Sequence, residues 1–444
     1  MVRKQMKTKA SGFTLIEILI TMALFMMVIA VTGSAFTLIL KATGRLTTSE
    51  ESNISGMVGL EIMRHDLQQA GYGMPTAYMA PPPTYTEASF TPANSLNDAP
   101  HGIPRPFASL DSVTNGVDSN TADGLTYTIV NGTDYLSIKA TTVGRAPAAR
   151  KWTFVAYSGA VGETITRRRP NVWPTADENL ASTDYGIVLK RTFDDTGTTS
   201  TLVFNNTNTG TAANFYTKNT TALLNNNFNP ISTDPPYVIY GISDTTPGMP
   251  FNRVDYMVAT PSDSSAISKR CASNTGILYK ATVNHSDGKL SYLPLLDCVA
   301  DMQVVFGWDT TGDGKITESS AYSSNPLKIS VAGTATYTDI QTIMEDPLLL
   351  RNALKYIKVY IMAQEGMADA NFTNKNSAVG GAYAIVVGDA NTSASTARTV
   401  SNVSLTKGYT AQNLADNGWL NYRWKIYRLV VRPNNLPTAP SRTN

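Results

Sequence analysis

Apolar residues fall along this chain in three rhythms, and each predicts a different element. From Phe13 to Leu40 the chain is almost wholly apolar, broken by Glu17 and a few small or hydroxyl residues. About 20 apolar residues suffice to cross a bilayer core, whereas a secretory signal carries only about 7–15, so the run reads as a membrane-spanning helix. The second rhythm follows. Ile54, Met57, Leu60, Met63, Leu67 and Ala70 recur in steps of three and four, with Glu61, Arg64, Asp66 and Gln68 on the other side. That period is helical, so one helix is expected from Phe13 to about Ala70, stopped by Gly71-Tyr72-Gly73 with Pro75 beyond.

The third rhythm is alternation. Leu125, Tyr127 and Ile129 lead into Asn131-Gly132, and Leu136, Ile138 and Ala140 lead out, which predicts a hairpin. Further strands are expected at 152–157, 187–192, 201–204, 237–243, 253–258, 277–283, 302–308, 354–363, 382–387 and 422–432. Residues 74–107, rich in Pro and containing Pro81-Pro82-Pro83, read as a loop or linker and not as core. The Asn/Thr-rich stretch 194–235 reads as long loops with weak strands. A short helix is expected around 338–353, disturbed by Pro347. A long helix followed by many alternating strands predicts an α+β fold with an antiparallel sheet in a β-rich head.

Charge sharpens the topology. Met1 to Gly12 holds Arg3, Lys4, Lys7 and Lys9 and no acid, so this flank is expected in the cytoplasm and everything after about residue 41 outside it. Over the 444 residues the net charge is only +2, which gives no footprint for nucleic acid. Glu17 lies near the start of the apolar run. A carboxylate at mid-bilayer costs on the order of 2.5–3.5 kcal/mol, so Glu17 has either a function or a snorkelling route to the interface.

Cys271 and Cys298 are the only cysteines. In an oxidising compartment an even pair favours one disulfide, closing a loop of about 28 residues for roughly 3–4 kcal/mol; two free thiols are the alternative. Asp309 to Glu318 partly matches a calcium loop, with Asp309 first, Asp313 fifth and Gly314 sixth. Glu318 could complete the shell, because Ser320 stands where the bidentate Glu belongs. The competing reading is a Gly-Asp-Gly turn after a strand. No catalytic constellation is found. His65, His101 and His285 read as structural or surface residues, and Arg167-Arg168-Arg169 as a solvated loop.

The string Ser11-Gly12-Phe13-Thr14-Leu15-Ile16-Glu17 resembles the cleavage signal of type IV pilins and type II secretion pseudopilins. The resemblance implies that a prepilin peptidase cuts between Gly12 and Phe13 and methylates Phe13. It also implies that Glu17 offers its carboxylate to the Phe13 amine of a neighbouring subunit, two charges tolerable in an apolar core only as a pair. Later patches resemble the PilW-type minor pilins, related to the GspJ pseudopilins. These are Asp66 to Tyr72, Gly132 to Leu136, Leu295 to Val304 running on to Gly314, Leu354 to Ile361 and Arg432 to Leu436. The chain is accordingly divided into a leader (1–12), a transmembrane half-helix (13–40), an amphipathic half-helix (41–71) and an extracytoplasmic head (72–444), with insertions near 74–120 and 194–250. The implied role is a non-enzymatic minor pilin with no cofactor unless calcium binds. It would start in the inner membrane and pass to the pilus tip, joining other minor pilins and the major pilin through its helix. A secretion pseudopilin and a tip adhesin with a ligand- or calcium-binding head are the alternatives.

Overall fold

The computed structural model describes residues 14–155, 172–194, 197–204, 214–218, 228, 230, 237–309, 318–320, 328–330, 337–339, 343, 347–374, 384–389, 399–400, 403–404 and 406–435. Gly12, Phe13, Arg167-Arg168-Arg169 and Asp313 lie outside them. The chain divides into two compact units, residues 1–51 and 52–444, and helix α1 (Leu15–Gln69) contributes to both.

In the first unit, Leu15–Thr37 is long and apolar enough to cross a membrane, and its side chains are exposed. Its hydroxyls fold back on the helix: Thr21 donates to the Ile18 carbonyl at 2.9 Å, Ser34 to Val31 and Thr37 to Ser34 at 2.8 Å. Such back-bonding leaves no side-chain donor unsatisfied at those positions in hydrocarbon.

In the second unit, the last turns of α1 bury Leu60, Met63, Leu67 and Ala70 in the larger core. The buried stripe differs from the expected one at two places. Met57 is 59% exposed, whereas Gly56 and Gly59 face the head. A Cβ on Gly59 would stand 2.8 Å from the Leu295 carbonyl oxygen, so the backbone approaches at a distance only glycine allows. Asp66, expected on the polar side, is buried. A count of apolar residues cannot register glycines as a contact face, which rotates the stripe. The side chain of Ile54 is outside the described set. The helix stops where expected, at Gly71 and Gly73 with φ of +78° and +66°.

Among the described residues the larger sheet has ten strands, and seven follow one antiparallel path. In chain order these are β1 (Phe107–Val113), β2 (Thr133–Ala140), β7 (Asn252–Pro261), β8 (Gly276–Val283), β9 (Leu290–Trp308), β10 (Leu354–Glu365) and β11 (Arg423–Val431). The smaller sheet holds β3 (Trp152–Val155), β4 (Tyr185–Asp194), β5 (Gly197–Val203) and β6 (Tyr237–Ser243), ordered β5-β4-β6-β3, with Ala77–Tyr78 parallel to β5. Most expected strands are present, displaced by a few residues at their ends.

Three expectations are overturned. Tyr127–Ile129 and β2 do not form a hairpin, because both lie antiparallel to β7: Ile129 opposite Ala259 and Leu136 opposite Tyr256. Asn131-Gly132, with Gly132 at φ +78°, is therefore an excursion within one strand direction. A ten-residue partner occupies the hydrogen-bonding edges that the two halves would have offered each other. Second, 74–107 is core: Tyr85, Ala88, Ala93 and Leu96 are buried with Phe251 and Tyr279. Third, the helix expected around 338–353 does not include its first residues: Tyr337–Asp339 is strand, while helix is found at Ile343 and over α2 (Pro347–Ala353).

Candidate functional site

The N-terminal segment is built by local chemistry. Thr14 caps α1, and the Glu17 Oε2 accepts both the Thr14 backbone N–H and its hydroxyl at 2.9 Å. The Glu17 N–H donates back to Thr14 Oγ1 at 3.4 Å. This is a reciprocal capping box, the Thr-x-x-Glu pattern that satisfies orphan donors at a helix start. The carboxylate thus sits at the positive end of the helix.

Asp66 anchors the other end of α1, on the head. Its carboxylate accepts the Tyr256 hydroxyl at 2.6 Å and lies 2.5 Å from the Lys280 Nζ, binding the helix to β7 and β8. Beyond β11 the chain returns to the same helix end: the Asn434 N–H donates to the Gln68 carbonyl at 3.2 Å, and the Asn435 amide to Gln68 and Gln69. The structure therefore brings together the Asp66–Tyr72 and Arg432–Leu436 patches. It also joins the next two, since Asp134 accepts the Val304 N–H at 2.7 Å and Gln303 donates to the Gly132 carbonyl at 3.3 Å. Burial, with Asp111 beside it, pushes the Asp134 carboxyl well above the usual carboxylate range.

A network of charges with no sequence signature lies under residues 87–105. Arg253, fully buried, holds Asp255 through Nε at 2.8 Å and Nη2 at 2.9 Å, and Glu87 through Nη1 at 3.0 Å. Lys139 Nζ lies 2.8 Å from Glu87 and 2.5 Å from Asp98, and Asp98 also accepts Arg105 Nε at 2.5 Å. Three acids and three bases balance. Burial works against ionising Asp98, but Lys139 and Arg105 outweigh it and hold its carboxyl below the usual range. The signal that could have flagged this segment was Glu87, Asp98 and Arg105 within a Pro-rich stretch that otherwise carries no formal charge.

The remaining candidates separate. Cys271 and Cys298 are bridged, with their Cα atoms 4.9 Å apart. Asp309 is buried 3.3 Å from Lys355 Nζ, Glu318 pairs through its backbone with Trp308, and Asp313 is outside the described residues. Among the described residues no group of three or more His, Cys, Asp or Glu could hold a metal ion. His65 and His101 are exposed, whereas His285 is half-buried and held at both ring nitrogens. Its Nδ1 accepts the Gly248 N–H at 3.2 Å and its Nε2 meets the Asn252 side-chain oxygen at 2.8 Å.

Burial pushes the His285 imidazole down to about 4 from 6.5. The unfolded chain therefore binds a proton that the folded chain refuses between those values. The stabilisation is full above pH 6.5 and is lost as pH falls toward 4, by about 3 kcal/mol for the whole window. Urea unfolding of the full chain at pH 7 and pH 4.5 should show this loss, and His285→Gln should reduce it. An equal acid sensitivity in both proteins would dismiss the effect.

Residues 7–33 match the family model described as the prokaryotic N-terminal methylation motif. Against curated proteins and solved structures the chain finds no match. The match covers the second half of the leader, the capped Thr14–Glu17 turn and most of the apolar helix. The matched motif supports a type IV pilin- or pseudopilin-type protein. The motif implies processing by prepilin peptidase and assembly with other pilins, and the exposed apolar helix and antiparallel head fit an α+β pilin-like architecture.

Proposed function

We propose that the chain is a PilW-like minor pilin of the type IV pilus, cut between Gly12 and Phe13, which helps to prime pilus assembly and stays at the tip. One observation carries this reading: Glu17 is held by Thr14 at the mouth of an exposed apolar helix within the methylation motif. Cleavage after Gly12 would put a charged amine next to that carboxylate. Assembly then needs Glu17 to exchange its own Thr14 donors for the Phe13 amine of a neighbour, because neither charge is tolerated alone in an apolar filament core. The patches around Asp66 and Asn435, which meet in the head, and those around Asp134 and Val304, which also meet, support the PilW-like assignment. In this reading the chain anchors in the inner membrane with its leader in the cytoplasm, and its helix joins the other minor pilins and the major pilin.

The test is mass spectrometry of the mature protein and of its Glu17→Ala variant from cells with and without prepilin peptidase, alongside a pilus count. Both proteins should begin at methylated Phe13 only when the peptidase is present, and only the parent should support normal piliation. A start beyond residue 30 defeats the processing assignment. Normal piliation with Glu17→Ala defeats the pairing role alone.

A further inference from the structure

We propose that Lys139 and Asp98 condense into an intramolecular amide, with Glu87 carrying the protons. The three side chains converge in a site closed to water: Lys139 and Glu87 are 0% exposed and Asp98 is 6% exposed. Lys139 Nζ stands 2.5 Å from Asp98 Oδ2, at the carboxyl group it would attack, and 2.8 Å from Glu87 Oε2. The Phe251 ring lies 5.2 Å from the same nitrogen. Fixed contact of this kind replaces a bimolecular encounter with an intramolecular one, which greatly raises the effective concentration of the amine.

Each neighbour is placed for the step. Glu87 Oε1 accepts the Asp98 and Ala99 N–H groups at 2.6 and 3.0 Å, which turns Oε2 toward Lys139. Arg105 donates to both Asp98 oxygens, from Nε at 2.5 Å and from its backbone N–H at 2.8 Å. Those donors sit where an oxyanion develops when nitrogen adds to the carboxyl carbon. Glu87 moves one proton from the ammonium to the Asp98 carboxylate, and the freed amine lone pair forms the new C–N bond. Glu87 then moves a second proton from that nitrogen to the departing hydroxyl, the C–O bond breaks, and water leaves. One ammonium and one carboxylate become one amide and one water, so atoms and charge balance. The remaining formal charges still cancel, two acids (Glu87 and Asp255, both held by Arg253) against two bases (Arg253 and Arg105).

Condensation also removes two ions that burial has stripped of water, a cost that an ion pair alone has to carry. The amide would fasten residue 98 to β2, 41 residues away in sequence, as a second covalent closure of the head that reducing agents do not open. The inference stands on the head alone and does not depend on the pilin assignment.

The full chain is purified from membranes in detergent, reduced, denatured, digested with trypsin and analysed by mass spectrometry. The expected product is one peptide, His65 to Arg145, closed on itself between Asp98 and Lys139 and lighter by one water than its linear form, because trypsin spares Arg105-Pro106 and cannot cut at an acylated Lys139. Linear peptides cut after Lys139 as the main product overturn the proposal, and this digest of the parent protein decides it whatever the variants do. Glu87→Gln should leave Lys139 free and cleavable. The water-depleted peptide His65 to Arg145 at the parent's level in that variant overturns the role of Glu87.

Discussion

Replacing Arg253 by Met should lower the unfolding free energy by about 3–5 kcal/mol, because it strands buried carboxylates without a counter-charge. The guanidinium is fully buried and binds Asp255 through two nitrogens, Glu87 at 3.0 Å, the Asn97 side chain at 2.6 Å and the Ala93 carbonyl at 2.7 Å. Burial opposes its charge, but Asp255 and Glu87 more than compensate and hold it firmly protonated. Methionine fills much of the same volume, so the loss reads electrostatics rather than a cavity. The measurement is the urea midpoint of the full chain followed by circular dichroism. A change within about 1 kcal/mol would show that the network is self-compensating without its central cation.

Asp66→Ala is the second large effect, expected at about 3 kcal/mol. It removes the acceptor of the Tyr256 hydroxyl and the partner of Lys280, so a buried hydroxyl and an 86%-covered ammonium lose their anion together. Glu61→Ala on the same helix is the control. Glu61 is 73% exposed and paired with Arg64 at 3.4 Å, so its loss should fall within about 0.5 kcal/mol. Equal losses at the two positions would mean that Asp66 is no anchor.

The pair also shows what a sequence pattern can and cannot see. Asp66 and Glu61 look alike in a helical repeat, each an acid between apolar residues. They part company only because Gly56 and Gly59 bring the helix backbone against Tyr427 and Leu295, which rotates Asp66 inward and Met57 outward. Asn131-Gly132 likewise has the composition of a tight turn. It is an excursion because β7 runs alongside both flanking segments, a choice made by residues some 120 positions downstream.

By itself, the sequence determined the features whose causes lie within a few residues: the apolar helix, its capped start at Thr14 and Glu17, its stop at Gly71, and most strand positions. Periodicity, capping and turn chemistry act over one helical turn or one strand, so they are written where they operate. The N-terminal motif belongs to that class, and the mature start at Phe13 is proposed on it. Only the tertiary structure decided that 74–107 is core, that both nitrogens of His285 are held, and that Glu87, Asp98, Lys139 and Arg253 share one site. Those outcomes depend on partners far apart in the chain, 166 residues in the case of Glu87 and Arg253. Burying a charge is tolerable only once its counter-charge has arrived from elsewhere in the fold.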